Sequence, residues 1–321
     1  MKQFVLFLLL APALVRAGEL LRLQDSVDAM GATFIVVAYA EEERTLTDGM
    51  EAALTEAGRL DRMLSNYRPE SEWSRMNREA AQEPVQVSPE LFQLLEYCGE
   101  VNRESQGTFD ITVGPLMRVW GFFRGTGRLP SPGEVATALE KVGFRNVRLD
   151  AANHTVRFLK PGIELDPGGV GKGYAVDRMI AKLKDLGIQS AMVTAGGSSI
   201  YGLGTPPNDT GWTVKIRHPR VYKDTVAEVK LKDESLSTSG DYEKFFEAEG
   251  KMYSHIMDPR TGYPATKVLS ASVIAPRTLT SEVWAKPFFI LGRQAAAKAK
   301  SEGLRVFLCE DGAKISCAWL Q

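Results

Sequence analysis

Asp166-Pro167-Gly168-Gly169-Val170-Gly171-Lys172-Gly173 places four glycines within six residues, between two ordered patterns. An extended run, Gly162-Ile163-Glu164-Leu165, leads into it. Ala175, Val176, Met179, Ile180 and Leu183 follow at helical spacings. A strand, a bare loop and a helix in that order constrain the fold, because glycine lets neighbouring backbone or a ligand approach without meeting a Cβ. Free amides at a helix start attract an anion, and Lys172 adds a full positive charge. The loop fits a phosphate site or a plain tight turn, and the residues alone leave both open. It is no Walker A loop: Asp166 stands where the first glycine is required and Gly173 where Ser or Thr is. The dinucleotide fingerprint fails as well, since no G-x-G here has its third glycine or alanine at the right offset.

Ahead of this loop the chain opens on Lys2 and an apolar run, Phe4 to Val15, closed by Val15-Arg16-Ala17. Small residues at the −3 and −1 positions make residues 1–17 a secretory signal, too short to span a membrane. Gly18, not a cysteine, directly follows Ala17, so a lipid anchor at that point is not expected. Removing the segment takes Lys2 and Arg16, two positive charges, and moves the formal charge from −1 to −3. That balance gives nucleic-acid binding no support. With 44% hydrophobic and 25% charged residues, the 321-residue chain suits an ordinary globular protein. It has three cysteines. A tight turn at Asp311-Gly312 would set Cys309 opposite 314 and Cys317 opposite 306, with the sulfurs on opposite faces, so three free, buried thiols are expected.

Periodicity marks helices over Thr47 to Met63 (with Thr47 as cap), Ser71 to Asn77, Pro89 to Glu104, Glu134 to Val142, Tyr174 to Leu186 and Gln294 to Lys300. Ser281 to Leu291 also has helical spacing, with Pro287 expected to interrupt it. Strands are expected around Phe34 to Val37, at 147–149 with 156–158, at Ala191 to Thr194, at Trp212 to Ile216 with Val226 to Leu231, and at Leu269 to Ala275. Between them lie two dense stretches, Gly107 to Leu116 and His255 to Gly262. In the first, Phe109 could stack on a ligand and Asp110 accept from it, or both could belong to an irregular core loop. No repeat or low-complexity segment interrupts the chain.

Taken in order, several clusters resemble one family. They are Met30-Gly31-x-Thr33, Tyr67, Gly107-Thr108-Phe109-Asp110-Ile111-Thr112-Val113-Gly114-Pro115-Leu116 and Trp120-Gly121-Phe122. Asp166-x-Gly168-Gly169-Val170-Gly171-Lys172-Gly173-Tyr174-Ala175-Val176-Asp177, Ala195-Gly196-Gly197, Ser237-Thr238-Ser239-Gly240 and His255-Ile256-Met257-Asp258-Pro259-Arg260-Thr261-Gly262 complete the set. From about Met30 to about Gly292 the chain is similar to the ApbE family, the FAD:protein FMN transferases formerly described as thiamine-biosynthesis lipoproteins. The resemblance implies an α+β fold with mixed and antiparallel sheets flanked by helices, and an FAD cleft between two intertwined subdomains. Residues 18–321 would form one such domain. It implies a soluble periplasmic, magnesium-dependent enzyme that splits FAD and attaches FMN through a phosphoester to a threonine of a target protein, releasing AMP. Met30, Tyr67, Thr108, Phe109, Asp110, Asp166, Lys172 and Ile256 would contact FAD, and His255 would be the catalytic histidine. A neutral imidazole can take a hydroxyl proton near neutral pH. His154 and His218 are expected to be structural or surface residues.

The family's metal ligands map onto Gly169, by its carbonyl, and onto Glu282 and Lys286. Here the chain departs from the pattern. Glu282 takes the place of an aspartate, and Lys286 that of a hydroxyl or carboxylate, although an ammonium cannot ligate a cation. Ser198 replaces the acidic residue usual after Gly196-Gly197. Lys286 could put its charge directly on the diphosphate, or the chain could bind FAD with weakened transfer. Glu282 and Lys286 also fit an i,i+4 surface pair worth about 0.3–0.5 kcal/mol. An FAD carrier and an FAD pyrophosphatase therefore stand beside the transferase, and magnesium dependence would separate the transferase from the carrier.

Overall fold

Met30 and Gly31 both take positive φ, 53° and 69°, and so close a two-residue hairpin between Leu21–Ala29 and Ala32–Ala40. In the computed structural model, which describes residues 20–320, that hairpin forms one edge of an eight-stranded sheet. The expected signal segment 1–17 lies outside the described residues. Ser190–Ala195, Ser199–Leu203, Glu234–Gly240, Val268–Ala275, Arg305–Glu310 and Ser316–Trp319 follow across the sheet in chain order. Every neighbouring pair is antiparallel. Between the second and third of these strands the chain makes an excursion, residues 41 to 189, that holds most of its helices.

Alternation within the strands separates two apolar layers. Val36, Ala38, Val193, Ala271 and Val273 join the core beneath the helices Glu43–Leu64, Gly171–Asp185 and Thr278–Leu291. Val37, Leu236, Ile274 and Phe307 face the other way, under Trp212, Val214, Ile216 and Leu231 of the ribbon Trp212–Arg217 with Thr225–Leu231. Val268–Ala275, covered from both sides, is buried along its whole length. Each fully buried aliphatic side chain there contributes about 1.5–3 kcal/mol. A third apolar cluster, around Leu116, Trp120, Val135 and Met257, stands apart from the sheet and walls the far side of a cleft.

Ser88 caps Pro89–Glu104 and Ser71 caps Glu72–Glu79, each accepting from the backbone amide three residues on. Ser131 and Glu134 form a capping box at Pro132–Leu139. The cap expected at Thr47 is displaced. The first long helix starts at Glu43, and the Thr47 hydroxyl donates back to the Glu43 carbonyl at 3.0 Å. The added first turn exposes mostly polar side chains, so apolar spacing carried no sign of it. Thr278–Leu291 runs unbroken through Pro287, held on most sides by buried neighbours. Near the C-terminus, Gly292–Ala295 is a 3-10 turn and the helix begins only at Ala296.

The cysteine expectation is corrected. Glu310 pairs with Ser316, which leaves a five-residue loop in place of a two-residue turn. Cys309 therefore lies directly opposite Cys317, Cα atoms 4.1 Å apart, and the two form a disulfide. Cys98 alone among the three is free, and burial pushes its thiol up.

Candidate active site

The glycine loop is pinned at its entry from a distant helix. Trp73 Nε1 and Asn77 Nδ2 both donate to the Leu165 carbonyl at 2.9 Å, and Asn77 Oδ1 accepts from the Leu165 amide at 2.9 Å. The Asp166 carboxylate then accepts from the Gly168 amide at 3.1 Å, opening a 3-10 turn over Pro167–Gly169. The long helix begins at Gly171, earlier than its apolar period suggests, so Gly173 lies in its first turn. A Cβ at Gly173 would stand 2.6 Å from the Thr278 carbonyl oxygen and 2.8 Å from Glu282 Oε2. Without one, the Gly173 amide donates to Glu282 Oε2 at 2.6 Å. Asp177, one turn further on, accepts from the Thr278 and Leu279 amides at 2.6 and 3.0 Å and so fixes the start of Thr278–Leu291. Loop helix and closing helix are thus tied together at two points.

Opposite them runs the segment from Ser105 to Thr112. The Thr108 hydroxyl donates to the Ser105 carbonyl at 2.8 Å, and Asn102 donates to the Phe109 carbonyl at 2.8 Å. Asp110 accepts from the Thr112 amide and hydroxyl at 2.8 and 2.6 Å and from the Phe144 amide at 3.0 Å. Both its oxygens are engaged within the protein, so Asp110 ties this segment to the turn at Phe144. Burial raises its carboxyl above the usual range, against the pull of those hydrogen bonds.

His255 enters from a third direction. The ribbon Phe245–Ala248 with Lys251–Ser254 returns the chain so that His255 faces Lys244. The Lys244 carbonyl accepts from the His255 amide at 2.9 Å and lies 3.1 Å from His255 Nδ1. A carbonyl can only accept, so Nδ1 carries the proton and Nε2 keeps its lone pair. Burial lowers the imidazole to about 4, and the positive charges of Lys244, Lys286 and Lys172 push it the same way. The ring is therefore neutral at pH 7.

All these elements border one cavity of about 510 Å³. Each expected site residue lines it: His255; Met30, Tyr67, Thr108, Phe109, Asp110, Asp166, Lys172 and Ile256; and Gly169, Glu282 and Lys286. Tyr67 is 73% exposed at the rim. Met30 reaches the cavity from a left-handed backbone position that a non-glycine residue adopts only at a cost, and the Asp61 carboxylate accepts its amide at 2.7 Å. Lys172 donates to Ser198 Oγ at 2.5 Å, which gives a task to the residue that departs from the family pattern. Burial raises Asp166 above its usual range, partly offset by Lys244 and Lys286. Lys244 also lines the cavity and escaped the sequence reading. Nothing in its neighbourhood marks it, because only the ribbon's register brings it to His255.

Glu282 and Lys286 are not a surface pair. Glu282 is 3% exposed and its carboxylate turns to Gly173. Lys286 Nζ donates instead to the main-chain carbonyl of Glu282 at 3.1 Å. The Lys286 stem lies across Gly169, with Cε 3.1 Å from where a Gly169 Cβ would be. Desolvation lowers the ammonium from the usual lysine range. The expected metal set of Gly169, Glu282 and Lys286 therefore does not fit a divalent cation. One carboxylate oxygen is committed to an amide, and an ammonium stands where a third oxygen donor is needed. Among the described residues, no three His, Cys, Asp or Glu side chains are grouped so as to hold a metal ion.

Comparison with known proteins follows the same lines. The model of the ApbE family matches residues 30–308. The chain is 33% identical over 257 residues to the FAD:protein FMN transferase of Salmonella typhimurium, spanning 77% of this chain and 73% of that protein. It is 30% identical over 293 residues to the Haemophilus influenzae protein of the same name, spanning 87% and 84%. Among solved structures, the ApbE protein of Thermotoga maritima superposes with a TM-score of 0.84 at 30% identity, covering 93% of this chain and 96% of that one. The apo form of the Pseudomonas stutzeri flavinyl transferase ApbE gives 0.83 at 27% identity, covering 95% and 96%.

Proposed function

The chain belongs to the ApbE family, and from that membership we infer that it is an FAD:protein FMN transferase, an enzyme that moves FMN from FAD to a second protein. The observation that carries this to the residues is convergence: stretches as far apart as Met30, Thr108, the glycine loop, His255 and Lys286 line one cavity. In our reading the flavin side of FAD lies against Phe109, Tyr67, Met30 and Ile256, and the diphosphate against Lys172 and the amides of the glycine loop.

Nε2 of His255 takes the proton of the incoming hydroxyl. The hydroxyl oxygen forms a bond to the FMN-side phosphorus, the bond from that phosphorus to the bridging oxygen breaks, and AMP leaves with the bonding electron pair. A bound diphosphate would bring negative charge beside His255, offset the three lysines and raise the ring's basicity above its unliganded value. The acceptor is a threonine of the target protein. The residues at the expected magnesium position do not fit that ion.

Export is part of the same proposal. A disulfide persists in oxidising compartments, and the bond between Cys309 and Cys317 supports the signal reading of residues 1–17. We take residues 18–321 as one functional unit, since the cavity draws on the hairpin turn at one end and on the closing helix at the other.

The test is to incubate the mature protein with FAD and an acceptor domain carrying a flavinylation threonine, then measure intact mass. An FMN adduct on the acceptor together with released AMP is expected. AMP without an adduct would point to hydrolysis of FAD, and bound FAD with neither product to a carrier.

A further inference from the structure

We propose that Lys286 occupies the place and performs the electrostatic task of a divalent cation, so that this chain binds the diphosphate of FAD, and turns it over, without a dissociable metal. The inference rests on FAD being the bound substrate.

Four observations converge on it. First, the Lys286 stem is laid over Gly169, the residue whose carbonyl would have to face a metal, with Cε 3.1 Å and Cδ 3.5 Å from a Cβ position there. A cation held beside Gly169 would meet the like charge of the lysine. Second, Nζ donates to the Glu282 carbonyl at 3.1 Å and, among the described residues, has no other protein partner. That single anchor sets the ammonium at the cavity wall and leaves two N–H groups for a ligand. Third, Oε2 of Glu282 is held by the Gly173 amide at 2.6 Å, so the acid best placed to hold a metal already has one oxygen engaged with the loop helix. Fourth, Lys172 and Lys244 line the same cavity, and both lie close enough to shift the His255 ring along with Lys286.

The cavity also has carboxylates, and they offset only part of this charge. Asp61 pairs with Arg68 at 3.3 Å and Glu243 with Arg217 at 3.3 Å, while both Asp110 oxygens accept from within the protein. Asp166 accepts from the Gly168 amide, and its charge and that of Glu282 act on Lys286. Lys172, Lys244 and Lys286 against these two acids leave the wall net positive, which matches a diphosphate. An ammonium stabilises the leaving phosphate as a point charge and donor. The expected difference from a metal site is insensitivity to chelation.

The experiment measures FAD binding by titration calorimetry and FMN transfer by intact mass, each in EDTA and in millimolar magnesium chloride. A titration of magnesium chloride alone into the protein accompanies them. Wild type is expected to bind FAD with the same Kd, within twofold, in both media, to transfer in EDTA and to show no magnesium heat. Lys286→Gln keeps the stem over Gly169 and loses the charge. It should weaken FAD binding at least tenfold, whereas Lys286→Arg should recover most of the loss. Lys286→Thr combined with Glu282→Asp should regain affinity only with magnesium.

Loss of wild-type FAD binding or transfer in EDTA, restored by magnesium, would overturn the proposal and leave the transferase reading intact. Unchanged FAD affinity in Lys286→Gln would overturn it too. Absence of any adduct in both media would instead count against the transferase reading, while the calorimetry still decides the role of Lys286.

Discussion

Replacing Gly173 by alanine should destabilise the protein although alanine is the better helix former. The added Cβ would sit 2.6 Å from the Thr278 carbonyl oxygen, 2.8 Å from Glu282 Oε2 and 2.9 Å from the Thr278 carbonyl carbon. Two of these atoms are backbone of a helix packed on the sheet, so they cannot swing aside as the end of a flexible side chain would. Forcing a methyl into such a contact costs about 1–3 kcal/mol. Parting the two helices also stretches the hydrogen bond from the Gly173 amide to Glu282, which is buried and charge-assisted, at about 1.5–3 kcal/mol. Helix propensity returns about 1 kcal/mol. The net expectation is a loss of about 1.5–5 kcal/mol in urea unfolding, and a melting temperature lower by roughly 2–8 °C for a chain of this size. FAD affinity should fall with it, because the same displacement separates Lys172 from Lys286. Gly168→Ala serves as control: Gly168 is exposed, and its Cβ would meet only the movable Asp166 carboxylate, at 3.2 Å. If Gly173→Ala melts within 1 °C of wild type, or no lower than Gly168→Ala, the close approach of the two helices is not what holds the loop.

Other measurements probe separate parts of the site. Because burial lowers His255 to about 4 from an ordinary 6.5, the unfolded chain binds more protons in between, and stability drops as pH falls through that window. Relative to His255→Gln, wild type should lose up to roughly 3 kcal/mol between pH 6.5 and pH 4, and superimposable pH–stability curves would show that the ring is not desolvated. The same variant should keep FAD binding and lose transfer, and an unchanged rate would remove His255 from the chemistry. Asp177→Ala strands the Thr278 and Leu279 amides at the start of the closing helix and should cost about 2–3 kcal/mol in urea unfolding, so a loss below 0.5 would contradict that capping role. Thiol labelling of the denatured, unreduced protein should count one reactive cysteine, Cys98. Three would refute the Cys309–Cys317 bond, whose removal by paired alanine substitutions should cost about 2 kcal/mol.

Much of this protein was legible from neighbouring residues. Ser88 ahead of Pro89 announces a helix that begins at Pro89, because a cap and a first-turn proline act within one turn. The glycine run, the paired apolar periods and the ordered motifs identify the loop, His255 and the fold class, since each is written in contiguous residues. What the tertiary structure decided are relations between segments far apart. Gly173 and Glu282 are 109 residues apart, and only the packing of two helices shows that a glycine is required and that the carboxylate is committed. Lys286, already out of place as a metal ligand in the sequence, meets Gly169 only through the same packing. Lys244 reaches His255 through ribbon register, and Cys309 reaches Cys317 through a loop longer than the Asp311-Gly312 signal implies. Register and helix approach depend on the summed fit of many side chains from both partners, so no local stretch encodes them. Propensity, capping and glycine's freedom act over a few residues, and there the chain could be read directly.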